Sequence, residues 1–450
     1  MKTTPLLLAA LLASHYSHAA VPASEAGKLG TTLTPLGAEM AGNADGSIPA
    51  WTGGLPANAG SADAAGNLSD PFAAEKPLFT ITAQNMAQYQ SLLSPGQQAL
   101  LKRYANTYRL QVYPTHRSAN LPGPVYQAIA DNAVNTHLIS GGNGIDTFKT
   151  ATPFPIPQSG LEVLWNHITR YRGGSVRRTH VQATPLADGT FNPVYFNQQF
   201  TYRDQIADFD PQNPGNVLFY YKQLVTAPAR LAGDVVLVHE TLDQVKEPRM
   251  AWIYNAGQRR VRRAPQIAYD GPYPASDGQR VADNLDMFNG APDRYDWKLL
   301  GKQELYVPYN NYKLESPQYS YNDLVKPGHL NPDLTRYERH RVWVVQATLK
   351  PGERHIYAKR VLYFDEDSWQ IVLAEHYDAR NTLWRVAEGF ISPRYDKQIP
   401  WMGVEALYDL INGRYIVSGM RNEEKTPMEV GFKALAAEYT PTALRNAGVR

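Results

Sequence analysis

Cysteine is absent from all 450 residues. This absence excludes disulfides, thiolate metal sites and a cysteine nucleophile. It also excludes a lipid anchor on a cysteine after a signal peptide, so the sequence predicts a protein that is not lipidated. The fold must then be stabilised by the burial of apolar side chains, for which the chain is long enough.

A charge excess of either sign is also missing. The 44 Lys+Arg residues face 42 Asp+Glu residues, which gives a formal net charge of +2. Nucleic-acid-binding proteins usually present a strongly basic face, so we predict no nucleic-acid partner. No apolar run after residue 20 approaches the ~20 residues that span a bilayer. Aromatic residues are abundant, with 28 Tyr and 8 Trp, as is typical of sheets and of pockets lined by rings.

The N-terminus has the pattern of a secretory signal peptide. A lysine at the second position precedes a short apolar run at residues 6–13, and Ser17 and Ala19 are the small residues of a cleavage site. We predict export and removal of residues 1–19, with cleavage after Ala20 as the alternative.

The remaining chain divides by composition. Residues 20–77 are dominated by Gly, Ala, Pro, Asn and Ser, and such a segment cannot bury enough apolar surface to form a core. We predict that it is an extended wrap laid over one α+β domain at residues 78–450. Within that domain we predict a helical part (78–172), an antiparallel sheet (176–420) and a C-terminal tail (421–450).

Helices are predicted from apolar periodicity and capping signals. Ser94-Pro95-Gly96-Gln97 is a capping box with Pro in the first turn, and Ser159 is a second N-cap candidate. The predicted helices cover residues 82–93, 94 to about 104, 124–139, from 159 onwards, and 213–226 between two strands.

From about residue 176 the apolar period changes from 3.6 to 2, which indicates strands. Asn412-Gly413 is a strong hairpin signal, and Lys350–Glu353 and Asp365–Ser368 are predicted hairpin turns. We expect the acidic tip Asp365-Glu366-Asp367 to be exposed to solvent. Roughly ten strands in hairpin succession imply one large, strongly bent antiparallel sheet, a half-barrel covered by helices.

Enzyme motifs and metal-ligand spacings are missing, so we predict no cofactor and no metal. One acidic loop, residues 277–296, leaves an alternative open, because several oxygen ligands suit a hard cation such as Ca²⁺. Ordinary turn chemistry explains the same residues. The acids of this loop are Asp277, Asp283, Asp286, Asp293 and Asp296.

The run Arg259-Arg260-Val261-Arg262-Arg263 is unusual. In a strand, Arg260 and Arg262 share one face. One interpretation is a clamp for an anionic head group at a pocket rim. The alternative is cross-strand ion pairing on the outer face. Candidate acidic partners are Glu240, Asp243 and Glu247.

Several strands are apolar on both faces, as in Val342-Trp343-Val344-Val345. A sheet of this kind needs helices on one side and a ligand, a plug or the wrap on the other. We therefore predict ligand-binding walls on three strands. The predicted wall residues are Trp252, Tyr254, Trp343, Val345, Trp369 and Ile371.

Contiguous blocks of the chain resemble a proteobacterial family of unknown function, DUF1329. These blocks include LGTTLTPLGAE at residues 29–39, PRMAW at 248–252, DMFNGAPDRYDWKL at 286–299, HRVWVV at 340–345 and DEDSWQI at 365–371. The family is similar at fold level to the periplasmic lipoprotein carriers LolA and LolB. The resemblance implies a curved sheet around an apolar cavity, a place in the Gram-negative periplasm, and trafficking of a lipid or hydrophobic compound. It also implies outer-membrane barrel proteins and RND-type permeases as partners.

We therefore expect a periplasmic carrier of a hydrophobic ligand (a lipid, an acyl chain or a hydrophobic small molecule) rather than an enzyme. The alternative is a non-catalytic adaptor between an outer-membrane protein and an inner-membrane pump, with a filled core and an exposed apolar patch. A third hypothesis is a hydrolase that uses two carboxylates, which leave no local sequence pattern.

Overall fold

The computed structural model describes residues 20–448, so the predicted signal peptide lies outside the described residues. The strands of this part of the chain are β1 (Phe79–Ile81), β2 (Leu110–Val112), β3 (Leu138–Ile139), β4 (Gly144–Ile145), β5 (Ser175–Ala183), β6 (Val194–Tyr202), β7 (Val217–Ala227), β8 (Val235–Thr241), β9 (Met250–Asn255), β10 (Arg260–Arg263), β11 (Tyr295–Pro308), β12 (Tyr337–Leu349), β13 (Lys359–Asp365), β14 (Ile371–Tyr377), β15 (Leu383–Ile391), β16 (Met402–Asp409), β17 (Tyr415–Met420) and β18 (Glu429–Val430).

The α-helices are fewer and shorter. They are α1 (Ala23–Ala26), α2 (Pro95–Arg103), α3 (Gly123–Asn135), α4 (Gly160–Thr169), α5 (Tyr312–Glu315), α6 (Tyr321–Leu324) and α7 (Pro441–Gly448). Short 3-10 helices lie at Met86–Leu92, Ser140–Gly142, Arg203–Gln205, Ala282–Asn284, Tyr395–Lys397 and Ala436–Tyr439. Across residues 20–448, no helix has the length and apolarity needed to cross a membrane.

One 16-stranded sheet organises the molecule, in the order β1-β2-β12-β13-β14-β15-β16-β17-β5-β6-β7-β8-β9-β10, with β11 also paired to β12 and β18 to β5. Its neighbouring strands are antiparallel except for β2 and β12, which are parallel. The sheet is open, because its end strands β1 and β10 do not pair with each other. The predicted α+β class with a large bent sheet is confirmed.

Local capping signals placed two helices correctly. The backbone N–H of Gln97 donates to Ser94 Oγ at 3.1 Å, and Gln97 Oε1 accepts from the Ser94 N–H, which closes the predicted capping box at the start of α2. Ser159 caps α4 in the same way through the N–H of Glu162. The segment 82–93 is less regular than predicted, because its helical part is a 3-10 helix.

The predicted helix at residues 213–226 is wrong. This segment contains the strand β7, which pairs with β6 on one side and β8 on the other. Its β-branched and aromatic residues fit a pleated strand, and two ladders of backbone hydrogen bonds stabilise that strand better than an isolated helix.

Both faces of the sheet are buried, as the sequence indicated. On β16, Leu407 belongs to the hydrophobic cluster that contains α4, whereas Ala406 and Tyr408 belong to the cluster that contains α2. Successive strand residues point to opposite faces, so α4 and α2 cover opposite sides of the sheet. Trp165 of α4 is fully buried, and its indole N–H donates to the carbonyl of Gly142 at 2.9 Å.

The segment that we predicted as a wrap forms hydrogen bonds with residues beyond 77, several of them through its backbone. Trp369 Nε1 donates to the carbonyl of Leu36 at 3.1 Å, and Arg117 Nη2 donates to that of Glu39 at 2.7 Å. Further along, the N–H of Leu55 donates to the carbonyl of Ser118 at 3.0 Å. A segment with few apolar residues is thus ordered by hydrogen bonds to the domain beneath it.

Candidate functional site

The predicted wall residues on β12 and β14, and Trp369 between β13 and β14, lie in a filled part of the core. Val345, Trp369 and Ile371 are each 0% exposed and share one hydrophobic cluster with Trp165 of α4. Trp343 is half-buried and lies parallel to Trp369, with ring centroids 6.4 Å apart. The space that the sequence assigned to a ligand is occupied here by a helix and by the wrap.

The other predicted ligand-binding residues lie elsewhere. Trp252 of β9 is half-buried beside His239, with ring centroids 4.8 Å apart, and Tyr254 is buried against Gly448 of α7. Arg260 and Arg262 of β10 are exposed. That a ligand contacts these side chains stays a prediction.

The acids of the loop 277–296 do not converge on one point. Asp283 pairs with Arg360 at 2.6 Å, Asp277 pairs with Arg414, and Asp293 accepts a hydrogen bond from Tyr269. Because separate cations and donors hold these carboxylates, turn and ion-pair chemistry accounts for them, and a shared cation site is not favoured.

The expectation that Asp365, Glu366 and Asp367 form a solvent-exposed tip is wrong. Their exposed fractions are 0%, 2% and 5%. We call these three residues the buried acid cluster. Arg117 binds Asp367 through two hydrogen bonds of 2.9 and 2.7 Å, and Lys302 donates to Glu366 at 2.9 Å. Cations from distant parts of the chain compensate the desolvation of the carboxylates.

This cluster also contains a possible donor set for a metal. Ligand atoms of His340, Asp365 and Asp367 lie within 4.8 Å of one another. However, Arg117 already takes both oxygens of Asp367, so its guanidinium occupies the position of a cation. Burial, and then the charge of Asp367, raise the pKa of Asp365 to about 7. Because Arg117 already binds the Asp367 carboxylate, ion pairing accounts for that member of the donor set.

An open cleft lies where β5, β6 and β7 approach β16 and β17, with a cavity volume of about 80 Å³. We call it the arginine cleft and define it by Arg170, Arg172, Arg178, Phe200, Trp401 and Glu405. Aromatic rings of β6 and β7 form one wall, and the segment before β16 forms another. The cleft therefore combines apolar surface with several charged groups.

One end of the cleft is a compact ion-pair network. Asp286 binds Arg170 at 2.6 Å and Arg172 at 2.7 Å. The Arg172 guanidinium also lies 4.2 Å from the ring centroid of Phe200. Burial would raise the pKa of Asp286, but Arg170, Arg172 and His167 outweigh it and hold that pKa well below its usual range. Asp286 is thus a fixed negative charge.

A second carboxylate lines the cleft. Glu405 pairs with Arg280 and accepts a hydrogen bond from the N–H of Met287 at 3.2 Å. Burial raises its pKa, Arg280 opposes that shift, and Asp286 adds to it. The cleft thus holds two acids whose pKa values are shifted in opposite directions.

Two glycines lie side by side on adjacent strands at the cleft. Gly403 of β16 and Gly419 of β17 both line it. Gly419 has a φ of +93°, and a Cβ there would lie 2.2 Å from the carbonyl oxygen of Gly403. Only glycine fits this backbone without displacing its neighbour.

Comparison with known proteins gives the family. A family model described as "Protein of unknown function (DUF1329)" matches residues 80–445. The uncharacterized protein PA3922 of Pseudomonas aeruginosa is 63% identical over 456 residues, which cover 100% of both chains. The chain belongs to the DUF1329 family. This membership confirms the resemblance found in the sequence.

Solved structures similar to this DUF1329 protein are more distant. A DUF1329 family protein from Desulfovibrio piger is 14% identical, with a TM-score of 0.42, and the match covers 61% of this chain and 92% of that one. A LolA superfamily protein from Nitrosomonas europaea is 13% identical, with a TM-score of 0.37, and the match covers 63% and 98%. DUF1329 and LolA, the two families that the sequence resembles, are both named among these proteins.

The sequence of this DUF1329 protein did not lead us to predict the residues of the arginine cleft as a site. Arg170 and Arg172 follow α4, and their partner Asp286 lies more than 110 residues further along the chain. A usable signal was present at Arg178, where a charged residue interrupts an otherwise largely buried strand. Such a residue is costly unless a partner or a ligand compensates it.

Proposed function

We propose that this protein binds a hydrophobic ligand in the arginine cleft and acts as a carrier rather than as an enzyme. The observation that carries this proposal is an open cleft beside the main hydrophobic cluster, walled by Phe200, Phe219 and Trp401.

The walls supply affinity by burying apolar surface, at about 25 cal/mol per Å². Val176 and Met402 extend the aromatic surface, and the rings of Phe200 and Phe219 are fixed by mutual contact, with centroids 4.7 Å apart. A preformed wall of this kind loses little side-chain entropy when a ligand binds.

The cellular setting of the proposal comes from the sequence. The N-terminal export pattern and the resemblance to LolA and LolB support a non-lipidated periplasmic carrier that moves a lipid, an acyl chain or a hydrophobic small molecule to or from the outer membrane. Outer-membrane barrel proteins and RND-type permeases are its proposed partners. No nucleic acid takes part.

The experiment is a binding titration with the neutral fluorescent probe N-phenylnaphthylamine. We expect saturable binding at one site per chain, and we expect Leu285→Trp to weaken it about tenfold or more. Leu285 is half-buried and lines the cleft, so an indole there takes up the ligand's space. Leu300→Trp is the matched control, because Leu300 is 47% exposed on β11.

Binding that is equally strong in Leu285→Trp and in the wild type would move the site out of the cleft, and no binding at all would overturn the carrier proposal. Organic extraction and mass spectrometry of protein purified from the periplasm without detergent would then name the cargo. A stoichiometric hydrophobic compound is the expected result.

A carboxylate-based hydrolase is the second candidate, because Asp286 and Glu405 line one cleft with pKa values shifted apart. Such a shift is typical of acid–base pairs in enzymes. We favour binding because guanidinium groups already hold both carboxylates, Asp286 by two. The adaptor hypothesis has less support, since the exposed large apolar residues Leu78, Val245 and Ile411 lie in three different loops of the chain.

A further inference from the structure

The ladder of backbone hydrogen bonds on one side of β5 is interrupted beside the arginine cleft. The pairing of β17 with β5 ends at Met420 and Val181, and that of β18 resumes at Glu429 and Arg177. Residues 178–180 lie in this gap. Polar side-chain atoms of all three are buried without a hydrogen-bond partner.

Arg178 is the cation in the gap. Its Nε donates to Gln198 Oε1 at 2.6 Å, and its guanidinium lies 4.9 Å from the ring centroid of Trp401. Its Nη1 is buried with no partner. Within residues 20–448, Arg178 forms no ion pair with a carboxylate. A guanidinium has five N–H donors, and the buried Nη1 leaves part of this capacity unused.

A second guanidinium increases the charge imbalance. Arg421 donates to the carbonyl of Thr426 at 2.6 Å, and its own Nη1 is also buried without a partner. Burial, and then the charge of Arg421, lower the pKa of Arg178 to about 10. Two like charges stand near each other in a place where water cannot fully solvate them.

The carboxylates nearby do not balance these charges. Glu405, which favours the charged form of Arg178, is already paired with Arg280. Burial raises the pKa of Glu315, the other acid that acts on Arg178, and Glu315 forms no ion pair with Arg178 within residues 20–448. His180 adds no positive charge of its own, because burial and the surrounding arginines hold its pKa well below its usual range.

We propose that Arg178 binds the anionic oxygens, carboxylate or phosphate, of a single-chain amphiphile whose apolar part lies along Phe200 and Trp401 in the arginine cleft. This inference rests on the proposed carrier function and adds the chemical class of the ligand. A planar guanidinium binds such oxygens in a bidentate manner, and the adjoining rings bury the chain.

The test is a set of four ligands with one chain length, titrated below their critical micelle concentrations. Dodecanoate and dodecyl phosphate carry an anionic head, dodecanol is neutral and dodecyltrimethylammonium is cationic. We expect the wild type to bind at least one anionic ligand about tenfold or more tightly than the neutral and cationic ones. Tighter binding of dodecanoate would indicate a carboxylate site, and tighter binding of dodecyl phosphate would indicate a phosphate site.

Arg178→Met removes the charge and keeps an apolar stem against Trp401. We expect it to abolish the preference for the anionic ligands, so that their affinities fall about tenfold or more relative to that of dodecanol. Arg177→Met is the matched control, because Arg177 is the next residue but is exposed and paired with Glu429. An equal loss in both variants, or a wild type without charge preference, would overturn the inference.

Thermal unfolding gives a second readout. Arg178 is half-buried and forms no ion pair with a carboxylate within residues 20–448, so Arg178→Met should be at least as stable as the wild type. Dodecanoate or dodecyl phosphate should raise the Tm of the wild type but not that of the variant. A large drop in the Tm of Arg178→Met would make Arg178 a structural residue. Failure of all four ligands and of N-phenylnaphthylamine to bind would overturn the carrier proposal itself.

Discussion

Two parts of one sheet are built from similar residues and used differently. Along β12–β14, the side chains that face α4 are closed off, and Val345 and Ile371 are 0% exposed. Along β5–β7, Phe200 and Phe219 belong to the same hydrophobic cluster, yet they border an open cleft. The strand pattern is the same, and only the covering elements differ.

This contrast shows what decides where a ligand site lies in a sheet with two apolar faces. The first part is filled by α4 and by the wrap, which reaches Trp369 through the carbonyl of Leu36. The second part is bordered by arginines and by two adjacent glycines, Gly403 and Gly419. A strand's own sequence predicts that it needs cover, but not which element or molecule supplies it.

The largest expected effect tests the filled part. Val345→Asp places a carboxylate in a closed core, and we expect it to lower the free energy of unfolding by more than about 4 kcal/mol. Thr348→Asp, at an exposed position of the same strand, should change it by less than about 0.5 kcal/mol. Urea denaturation followed by circular dichroism measures both. A folded Val345→Asp that no longer binds N-phenylnaphthylamine would restore the ligand wall predicted on β12.

The next effect concerns the buried acid cluster, which joins the wrap to the filled part. The folded protein holds the proton of Asp365 more tightly than the unfolded chain does, with a pKa of about 7 against about 3.9 when unfolded. The contribution of Asp365 is therefore most favourable below about pH 4 and is lost as the pH rises towards 7.

Asp365→Asn removes this titration. We expect the stability of the variant relative to the wild type to increase by about 2 to 4 kcal/mol between pH 4 and pH 7. The measurement is urea denaturation of both proteins across that range. A difference that stays constant with pH would mean that Asp365 is ionised throughout and that Arg117 and Lys302 compensate it fully. Asp296→Asn, on an exposed position of β11, is the matched control.

Features determined by adjacent residues were predicted from the sequence. The capping box at Ser94 and the hairpin at Asn412-Gly413 depend on side chains and backbone angles within a few residues, and both are present. The hairpin turn at Asp365–Ser368 was also placed correctly, but its burial was not. That burial depends on Arg117 and Lys302, which lie 250 and 64 residues away in the sequence.

The candidate site depends even more on distant contacts. The arginine cleft joins segments near residues 170, 200, 286 and 405, and no local pattern predicts that they meet. The unpaired charge at Arg178 becomes informative only once its burial and its interrupted ladder are known. Sequence analysis therefore identified the family and the sheet, whereas the site required the spatial arrangement.

The smallest expected effect separates two kinds of unpaired arginine. Arg260 and Arg262 are exposed on the end strand β10, where water solvates a guanidinium at no cost, so their lack of a partner indicates nothing about a ligand. Replacing both by Gln should change the free energy of unfolding by less than about 0.5 kcal/mol and the affinity for dodecanoate by less than about twofold. Arg178→Met should change that affinity about tenfold or more, because water solvates Arg178 incompletely. A larger change of dodecanoate affinity in the Arg260 and Arg262 variant than in Arg178→Met would make β10 the rim clamp predicted from the sequence. The head-group site would then lie at the open end of the sheet.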